Sequence, residues 1–233
     1  ERLWTTMKQN EKNAVITVLL NRYGKTFASE IGVDPLTNTP AALFRLWCAS
    51  ILVSARIRAA IAIKASRALF DRGWVTAQKL GKSTWEERVR VLNGAGYARY
   101  DESTARMLGD SVSMLLDRYG GDLRRLRELA GRSPQEERRL LLEFKGLGNV
   151  GVDIFFREVQ LVWDELYPLV DQKALKAAEQ LELGRDANEI ASLLEKTEFV
   201  SLLAGLVRVS LSNEFEEVRK AARVKFPSAG GGT

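Results

Sequence analysis

The 233-residue chain contains no histidine and a single cysteine, Cys48. Without histidine it has no Ser-His or Cys-His nucleophile pair, no histidine general base and none of the common zinc sites. One cysteine excludes a disulfide within the chain and an iron–sulfur cluster held by four thiolates. Carboxylates, lysines, hydroxyl groups and main-chain amides are therefore what remains for chemistry.

Long apolar runs are missing as well. Apolar stretches such as 59–63 are far shorter than the roughly 18 residues that a membrane span needs, and the N-terminal residues lack the basic-then-apolar pattern of a secretory signal. Hydrophobic residues nevertheless make up 45% of the sequence, which is ordinary for a globular protein. The net charge of +5 fits a polyanionic partner, although a soluble basic protein without such a partner would have the same balance.

Apolar residues recur at helical spacing almost throughout, and strand-like alternation is nearly absent, so the sequence predicts an all-α fold. Pro40 follows Asn38 and Thr39, a position that the first turn of a helix tolerates, and it predicts a helix over 40–53. The other predicted helices are 3–23, 57–70, 86–92, 103–119, 123–129, 134–144, 173–183, 188–195, 198–209 and 214–222.

The segment 142–156 contains Gly146-Leu147-Gly148 between two apolar helices. Two glycines around an apolar residue allow a tight turn with Leu147 pointing inward, and they leave the amides around Gly148 free at the start of the next helix. Free amides at the positive end of a helix dipole bind phosphate oxygens. A simple turn is the alternative, because Gly-x-Gly alone has low specificity.

Asp171 follows the apolar pair Leu169-Val170 and precedes a predicted helix. This is the position of an N-cap, which is the plain structural explanation for the residue. The alternative is catalytic, provided that the two helices pack together. A carboxylate within reach of a phosphate-binding hairpin stabilises cationic character on a sugar, or orients a water molecule, while an N-glycosidic bond breaks.

The hairpin Gly146-Leu147-Gly148 followed by Pro168-Leu-Val-Asp171 resembles the endonuclease III-type superfamily of base-excision DNA glycosylases. Segment 43–56 is similar to that family's early helix, which ends in a Leu-Ser-Ala-Gln turn. Gly94-Ala-Gly-Tyr97, with a helix opening around Ala105, resembles the family's Gly-aromatic loop. The resemblance therefore extends over most of the chain.

The resemblance implies two helical lobes with a DNA-binding cleft between them, into which a base is flipped. Residues 38–164 would form a helical barrel lobe that carries the hairpin, 1–37 and 165–226 the second lobe, and 227–233 a flexible tail. The implied partner is double-stranded DNA with a damaged or mismatched base. We expect a monomer that acts away from membranes, in the cytoplasm or nucleoid of a bacterium or in the nucleus of a eukaryote.

Bifunctional members carry a lysine just after the hairpin glycines, and its amine attacks the sugar. Val150 occupies that position here. The resemblance therefore implies a monofunctional glycosylase that uses Asp171 and water, with an alkylated base as one candidate substrate. No cofactor is expected, because the family's iron–sulfur loop is absent; a monovalent cation at the hairpin is compatible with the family pattern.

The expected DNA-binding residues lie in and around the hairpin. They are Lys145, Gly146, Leu147, Gly148, Asn149, Val150, Gly151, Arg56, Tyr97 and Lys173. Arg56 stands where relatives often place a glutamine that fills the gap left by the flipped base, and a surface arginine is the alternative. Tyr97 is a candidate wedge between bases. Trp163 and Tyr167 are candidates for the base pocket or for the core, and the core is favoured.

Other polar residues near the motif have plainer explanations. Asp153 is expected to bond Asn149 or a neighbouring main-chain group, and a catalytic role is the less favoured alternative. Asp164 and Glu165 are expected on a solvated face, and the arginines of 123–129 on another. Cys48 is expected to be a small buried hydrophobe.

Two function classes stay open on the sequence. The first is an excising DNA glycosylase, and the second is a catalytically silent protein of the same fold that binds damaged DNA or abasic sites. Both predict an affinity for DNA that falls steeply with salt. A helical scaffold with no nucleic-acid role is a third, weaker alternative.

Overall fold

A computed structural model of the chain describes residues 9–225 and shows helices joined by turns and loops, with no strand among these residues. The prediction of an all-α fold is confirmed. The chain divides into two compact units, one over Phe27–Tyr167 and one formed by the chain up to Thr26 and from Pro168 onward. The predicted tail 227–233 and the start of the predicted helix 3–23 lie outside the described residues.

The unit Phe27–Tyr167 contains short 3₁₀ turns at Pro35–Thr37 and Asp164–Leu166 besides its α-helices. These helices are α2 (Phe27–Glu30), α3 (Pro40–Ser54), α4 (Ala59–Asp71), α5 (Ala77–Gly81), α6 (Trp85–Gly94), α7 (Asp101–Tyr119), α8 (Leu123–Leu129), α9 (Pro134–Leu141) and α10 (Asn149–Val159). Side-chain caps fix many of their starts. Thr39 caps α3 ahead of Pro40, and Thr84 forms a capping box with Glu87 at the start of α6.

Helix α3 is the central element of this unit and is buried on most of its surface. It packs against α4 and α10, and its Trp47 meets the ring of Phe144 edge to face at 5.0 Å. Cys48 is also buried here, and burial raises the pKa of its thiol well above the ordinary value, as expected of a small core residue.

Glu158, near the end of α10, ties the start of this unit to its last long helix. Its buried carboxylate accepts the main-chain N–H groups of Phe27 at 3.2 Å and Ala28 at 3.0 Å. These are first-turn amides of α2, which have no partner inside their own helix. The cap of α2 is therefore supplied from a distant part of the chain.

The other unit consists of α1 (Gln9–Val18), a π-helical turn (Leu19–Tyr23), α11 (Gln172–Gln180), α12 (Ala187–Ala191), α13 (Lys196–Ser212) and α14 (Phe215–Lys225). Helix α13 packs against α11 and the π-helical turn, and α1 packs against α14. Gly205 lets α13 lie close to the π-helical turn, because a Cβ there would lie 3.2 Å from the carbonyl oxygen of Leu19. In residues 9–225 no helix is both long and apolar enough to cross a membrane.

Candidate nucleic-acid interface

The hairpin joins α9 to α10 and turns at Gly146, whose φ of +84° is a conformation that favours glycine. A Cβ at Gly146 would also lie 3.1 Å from Met107 Sδ and 3.2 Å from Ile51 Cγ2. Leu147 is buried, as predicted, with 4% of its surface exposed. The turn is thus seated against α3 and α7.

Gly151 allows α10 to lie close to α3. A Cβ at this position would overlap Ser54 Oγ and would lie 2.5 Å from the carbonyl oxygen of Ser50. Gly151 is buried, so its missing side chain is explained by packing between helices. The contact of Gly151 with DNA stays a prediction.

The main-chain N–H groups of Asn149, Val150 and Gly151 have no acceptor in the described part of the chain. They belong to the first turn of α10, where the helix dipole adds positive potential. Gly148 differs from the prediction, because its N–H donates to Ser54 Oγ at 3.3 Å and is not free. The hairpin therefore offers three unpartnered amides, which directly follow Gly148.

Gly148 is not required by the fold. Its φ of −91° is one that any residue adopts, and a Cβ built on it meets no atom within 4 Å. The residue is exposed, as are Asn149 and Val150 beside it. A side chain at Gly148 would stand in the solvent directly before the unpartnered amides, so the glycine keeps their approach open.

Lys145 is exposed at the start of the turn. Its Nζ lies 2.8 Å from Asp110 Oδ2 on α7, and its carbonyl oxygen accepts a hydrogen bond from Ser111 Oγ at 2.9 Å. An exposed ion pair of this kind is weak and is readily exchanged for another anion. The prediction that Lys145 contacts a phosphate stays a prediction.

Arg56 is exposed in the loop after α3, two residues beyond Ser54, and its guanidinium has no hydrogen bond or ion pair with the described residues. The bond from Gly148 to Ser54 holds this end of α3 beside the hairpin.

The prediction that Tyr97 is a wedge between bases is wrong. Its side chain is fully buried, and its hydroxyl donates to the carbonyl oxygen of Leu52 at 2.7 Å.

Asp171 lies in the other compact unit, where it is the N-cap of α11. Its Oδ1 accepts the main-chain N–H groups of Lys173 at 3.0 Å and Ala174 at 3.1 Å. The side chain is half-buried, and Lys173 is exposed. Asp171 therefore caps α11, as one of its two interpretations predicted. Its catalytic role stays a prediction, and so does the contact of Lys173 with DNA.

Asp153 bonds Arg138 and not Asn149. Arg138 Nη2 lies 2.5 Å from Asp153 Oδ1, and its guanidinium stacks over the ring of Phe156 at 5.2 Å. This ion pair joins α9 to α10, so the carboxylate has a structural function within the two helices of the hairpin.

A buried acidic cluster in the same unit overturns two expectations. Glu165 was expected to be solvated, but it forms a two-point ion pair with Arg127 at 2.5 and 2.6 Å, with both side chains largely buried. Arg127 also stacks on Trp163, which is fully buried, in agreement with the prediction that this tryptophan is a core residue. Of the arginines in α8, at least Arg127 is therefore not on a solvated face.

Glu137 completes this cluster and was not singled out by the sequence. Its side chain is fully buried, and neither carboxyl oxygen has a partner in hydrogen-bond geometry. Burial, followed by the neighbouring Glu165, raises the pKa of Glu137 to about 8. Burial also opposes ionisation of Glu165, but the hydrogen bonds from Arg127 prevail and hold its pKa at about 2.

Ser54 and Glu137 are the two residues around the hairpin whose positions sequence reasoning missed. Ser54 ends a helix with an ordinary turn sequence, and only the fold brings its hydroxyl to Gly148. Glu137 follows Ser133-Pro134 in a first helical turn, where acidic residues are common and usually exposed. Neither has a local signal that would separate it from its neighbours.

Comparison with solved structures finds a similarity to the protein of a complex described as a trapped covalent intermediate of endonuclease III and DNA with an estranged adenine. The two chains are 18% identical, the match covers 73% of each chain, and the TM-score is 0.45. No family model matches this sequence, and no curated protein matches it.

Proposed function

We propose that this protein is a monofunctional DNA glycosylase of the endonuclease III type, which hydrolyses the N-glycosidic bond of a flipped damaged base in double-stranded DNA. The observation that carries the proposal is the hairpin. Its exposed turn presents the unpartnered amides of Asn149 and Val150, followed by that of the buried Gly151, behind a glycine that the fold itself does not need.

The hairpin's part is to hold the DNA backbone. Three N–H groups at the start of a helix bind a phosphate oxygen through hydrogen bonds and through the helix dipole. Gly148 lets the sugar–phosphate chain approach to hydrogen-bond distance, because no Cβ intervenes. Contacts of this kind fix the register of the strand and carry no sequence information.

Asp171 is the proposed catalytic residue. As the bond between C1′ and the base nitrogen breaks, the base leaves with the electron pair and the sugar gains cationic character, which a carboxylate stabilises. A water oxygen then bonds to C1′ and gives a proton to the carboxylate. One carboxylate suffices best for a base that is already activated, such as an alkylated purine with a positive charge, which leaves as a neutral molecule.

Val150 supports the monofunctional assignment. It occupies the position where the bifunctional members of the resembled family carry their lysine, and a valine has no amine to form a Schiff base. Water is then the nucleophile, and the DNA strand stays intact after the base is released.

The test is the substitution Asp171→Asn. Asparagine caps a helix about as well as aspartate, so the fold and the affinity for duplex DNA should be retained while base release is lost. Asp186→Asn is the control, because Asp186 is likewise a helix N-cap, exposed in the same unit, and accepts the Glu189 N–H at 2.9 Å. Base release from a panel of damaged duplexes is followed by mass spectrometry; undiminished release by the Asp171 variant would refute the assignment.

One observation favours a second candidate, a catalytically silent protein that binds damaged DNA. Asp171 Oδ1 already accepts two main-chain amides of its own helix, which is a sufficient reason for an aspartate there. The silent protein predicts tight binding to an abasic duplex and no release of any base from the same panel, with wild type and both variants indistinguishable.

A further inference from the structure

Arg88 in α6 is a buried cation without a buried anion. Only 8% of its surface is exposed, and its donors reach neutral oxygens: Nε to the carbonyl of Ala105 at 2.9 Å, and Nη1 to the carbonyl and hydroxyl of Ser83 at 2.7 and 3.0 Å. Burial lowers the pKa of the guanidinium, and the negative charge of Asp110 is the largest opposing effect. A buried charge that pairs only with neutral groups is costly unless an anion joins it.

The second terminal nitrogen of Arg88, Nη2, has no acceptor in the described part of the chain. It lies against Gly109 in the middle of α7, where a Cβ would come within 2.5 Å of it. Glycine inside a helix costs about 1 kcal/mol relative to alanine. Gly109 thus leaves room for the Arg88 guanidinium. Three hydrogen bonds hold its Nε and Nη1, and its Nη2 has no acceptor in the described part of the chain.

Arg88 and Gly109 line an open cavity of about 490 Å³ between α5, α6 and α7. Cavities of about 300–1,000 Å³ hold small organic ligands, so the space is too large for a monatomic ion alone. Exposed Arg106 and Ser113 line the same cavity from α7, one turn before and one turn after Gly109. The cavity therefore combines a buried guanidinium, a second exposed guanidinium and a hydroxyl group.

The charge and the walls of the cavity suit a phosphate ester. Asp110 adds a carboxylate to the lining, but Lys145 Nζ pairs with it at 2.8 Å and offsets its charge. Trp85 lines the cavity as well, and its ring is fixed by a bond from Nε1 to the carbonyl of Glu102 at 3.1 Å. Guanidinium forks match phosphate oxygens in geometry as well as in charge.

We propose that this cavity is a phosphoryl-binding site, with Nη2 of the buried Arg88 as its inner donor and Arg106 and Ser113 as its outer contacts. The site is separate from the hairpin amides and does not depend on base excision. The phosphoryl group comes either from a free mononucleotide or from the backbone of a DNA strand.

The test follows the Nε–H of Arg88 by ¹H–¹⁵N NMR, because its bond to Ala105 inside the fold protects this proton from exchange. dAMP and a short single-stranded oligonucleotide are titrated separately at constant ionic strength. Saturable shifts of the Arg88 Nε–H and the Trp85 indole N–H support the site. A response to dAMP identifies the free mononucleotide as a source, and a response to the oligonucleotide alone identifies the strand. No saturable shift with either probe overturns the proposal.

Two variants make the test specific. Arg88→Lys removes the Nε–H signal, so binding is followed at the Trp85 indole N–H, whose shift should be abolished; this variant also loses bonds that hold α6 to α7 and risks unfolding. Ser113→Glu leaves those bonds in place and puts a carboxylate at the cavity, so it should weaken binding at least about tenfold with an unchanged melting temperature. Thr197→Glu adds the same charge to an exposed position in the other unit and should bind as wild type does. Equal binding by the Ser113 and Thr197 variants would also overturn the proposal.

Discussion

Ser54 Oγ accepts the main-chain N–H of Gly148 at 3.3 Å and donates to the carbonyl oxygen of Ser50 at 2.8 Å, so one hydroxyl joins the end of α3 to the hairpin. The two residues are far apart in the sequence, and α3 and α10 pack against each other around this bond. The position of the hairpin amides therefore depends on a side chain outside the motif.

Replacing Ser54 with alanine should loosen the hairpin. We expect the free energy of unfolding to fall by about 0.5 kcal/mol, the low end for a hydrogen bond, because the bond that is lost between the two elements is exposed. Urea unfolding measures the stability, and hydrogen exchange at the Gly148 amide should become faster. Ser66→Ala is the control, since the Ser66 hydroxyl bonds only Ala62 of its own helix. The prediction fails if both variants leave exchange at Gly148 unchanged.

Gly148→Ala separates the fold from DNA binding. A Cβ at Gly148 meets no atom of the protein, so the melting temperature should stay within about 1 °C of the wild-type value, whereas affinity for duplex DNA should fall. The loss of affinity should be similar at every salt concentration, because main-chain N–H groups carry no net charge and the slope of log K against log salt follows the charged contacts.

The matched control for that variant is Gly94→Ala, because Gly94 is likewise exposed with open space around its Cβ position. Fluorescence anisotropy at several salt concentrations compares the two proteins with wild type. If the Gly148 and Gly94 variants bind DNA equally well, the hairpin amides do not hold a phosphate.

Val150→Lys tests whether the missing amine is what limits the protein to base release. Val150 is 61% exposed in the first turn of α10, so a lysine should be accommodated with a change in stability below about 0.5 kcal/mol. We expect the variant to be trapped by borohydride as a covalent complex with an abasic duplex, which wild type is not. Leu211→Lys, at another exposed apolar position, is the control and should give no complex. Absence of trapping in the Val150 variant contradicts the proposed position of the hairpin near the sugar.

The pair Glu137 and Glu165 should make stability depend on pH. In the folded protein the pair keeps one proton from about pH 2 to about pH 8, whereas each unfolded glutamate titrates near its ordinary value of 4.5. Above pH 4.5 the folded state thus binds one more proton than the unfolded state, and the free energy of unfolding falls as pH rises to about 8. Below pH 4.5 the folded state binds one fewer, so stability falls again as pH falls toward 2.

Glu137→Gln should remove the upper part of this dependence. A neutral amide replaces the protonated carboxyl, so the slope of up to about 1.4 kcal/mol per pH unit between pH 5 and 8 should flatten. Guanidinium unfolding at each pH measures the slope, with Glu136→Gln as the control at a half-buried glutamate of the same helix. Parallel curves for wild type and the Glu137 variant would show that Glu137 is ionised in the fold at neutral pH.

The helices and their starts could be read from the sequence because their signals are local. The helix predicted at 40–53 is observed as Pro40–Ser54, with Thr39 as its cap, and 123–129 is observed over the same residues. The short helices Ala77–Gly81 and Phe27–Glu30 were missed, since a single turn carries little periodicity. For α2, part of the stabilisation comes from Glu158, which no local pattern reveals.

The side-chain environment could not be predicted where partners are distant in sequence. Tyr97 has an aromatic side chain of the kind that can insert between bases, yet in the fold its hydroxyl donates to the carbonyl oxygen of Leu52. Glu165 and Arg127 look like surface charges until the chain brings them together beside Glu137. Whether a charged group is buried depends on how whole helices pack. The spacing of residues in one sequence shows which of them share a face of a helix, but it does not show which other helix packs against that face.

The cap that Glu158 places on α2 has a consequence for biosynthesis. The carboxylate follows Ala28 by 130 residues, and translation adds roughly 5–20 residues per second. For roughly 6–26 s after Ala28 is made, the amides at the start of α2 have no carboxylate to bind. A nascent chain released before Glu158 would therefore have α2 without this cap, so chaperones or proteases would have access to the segment early in synthesis.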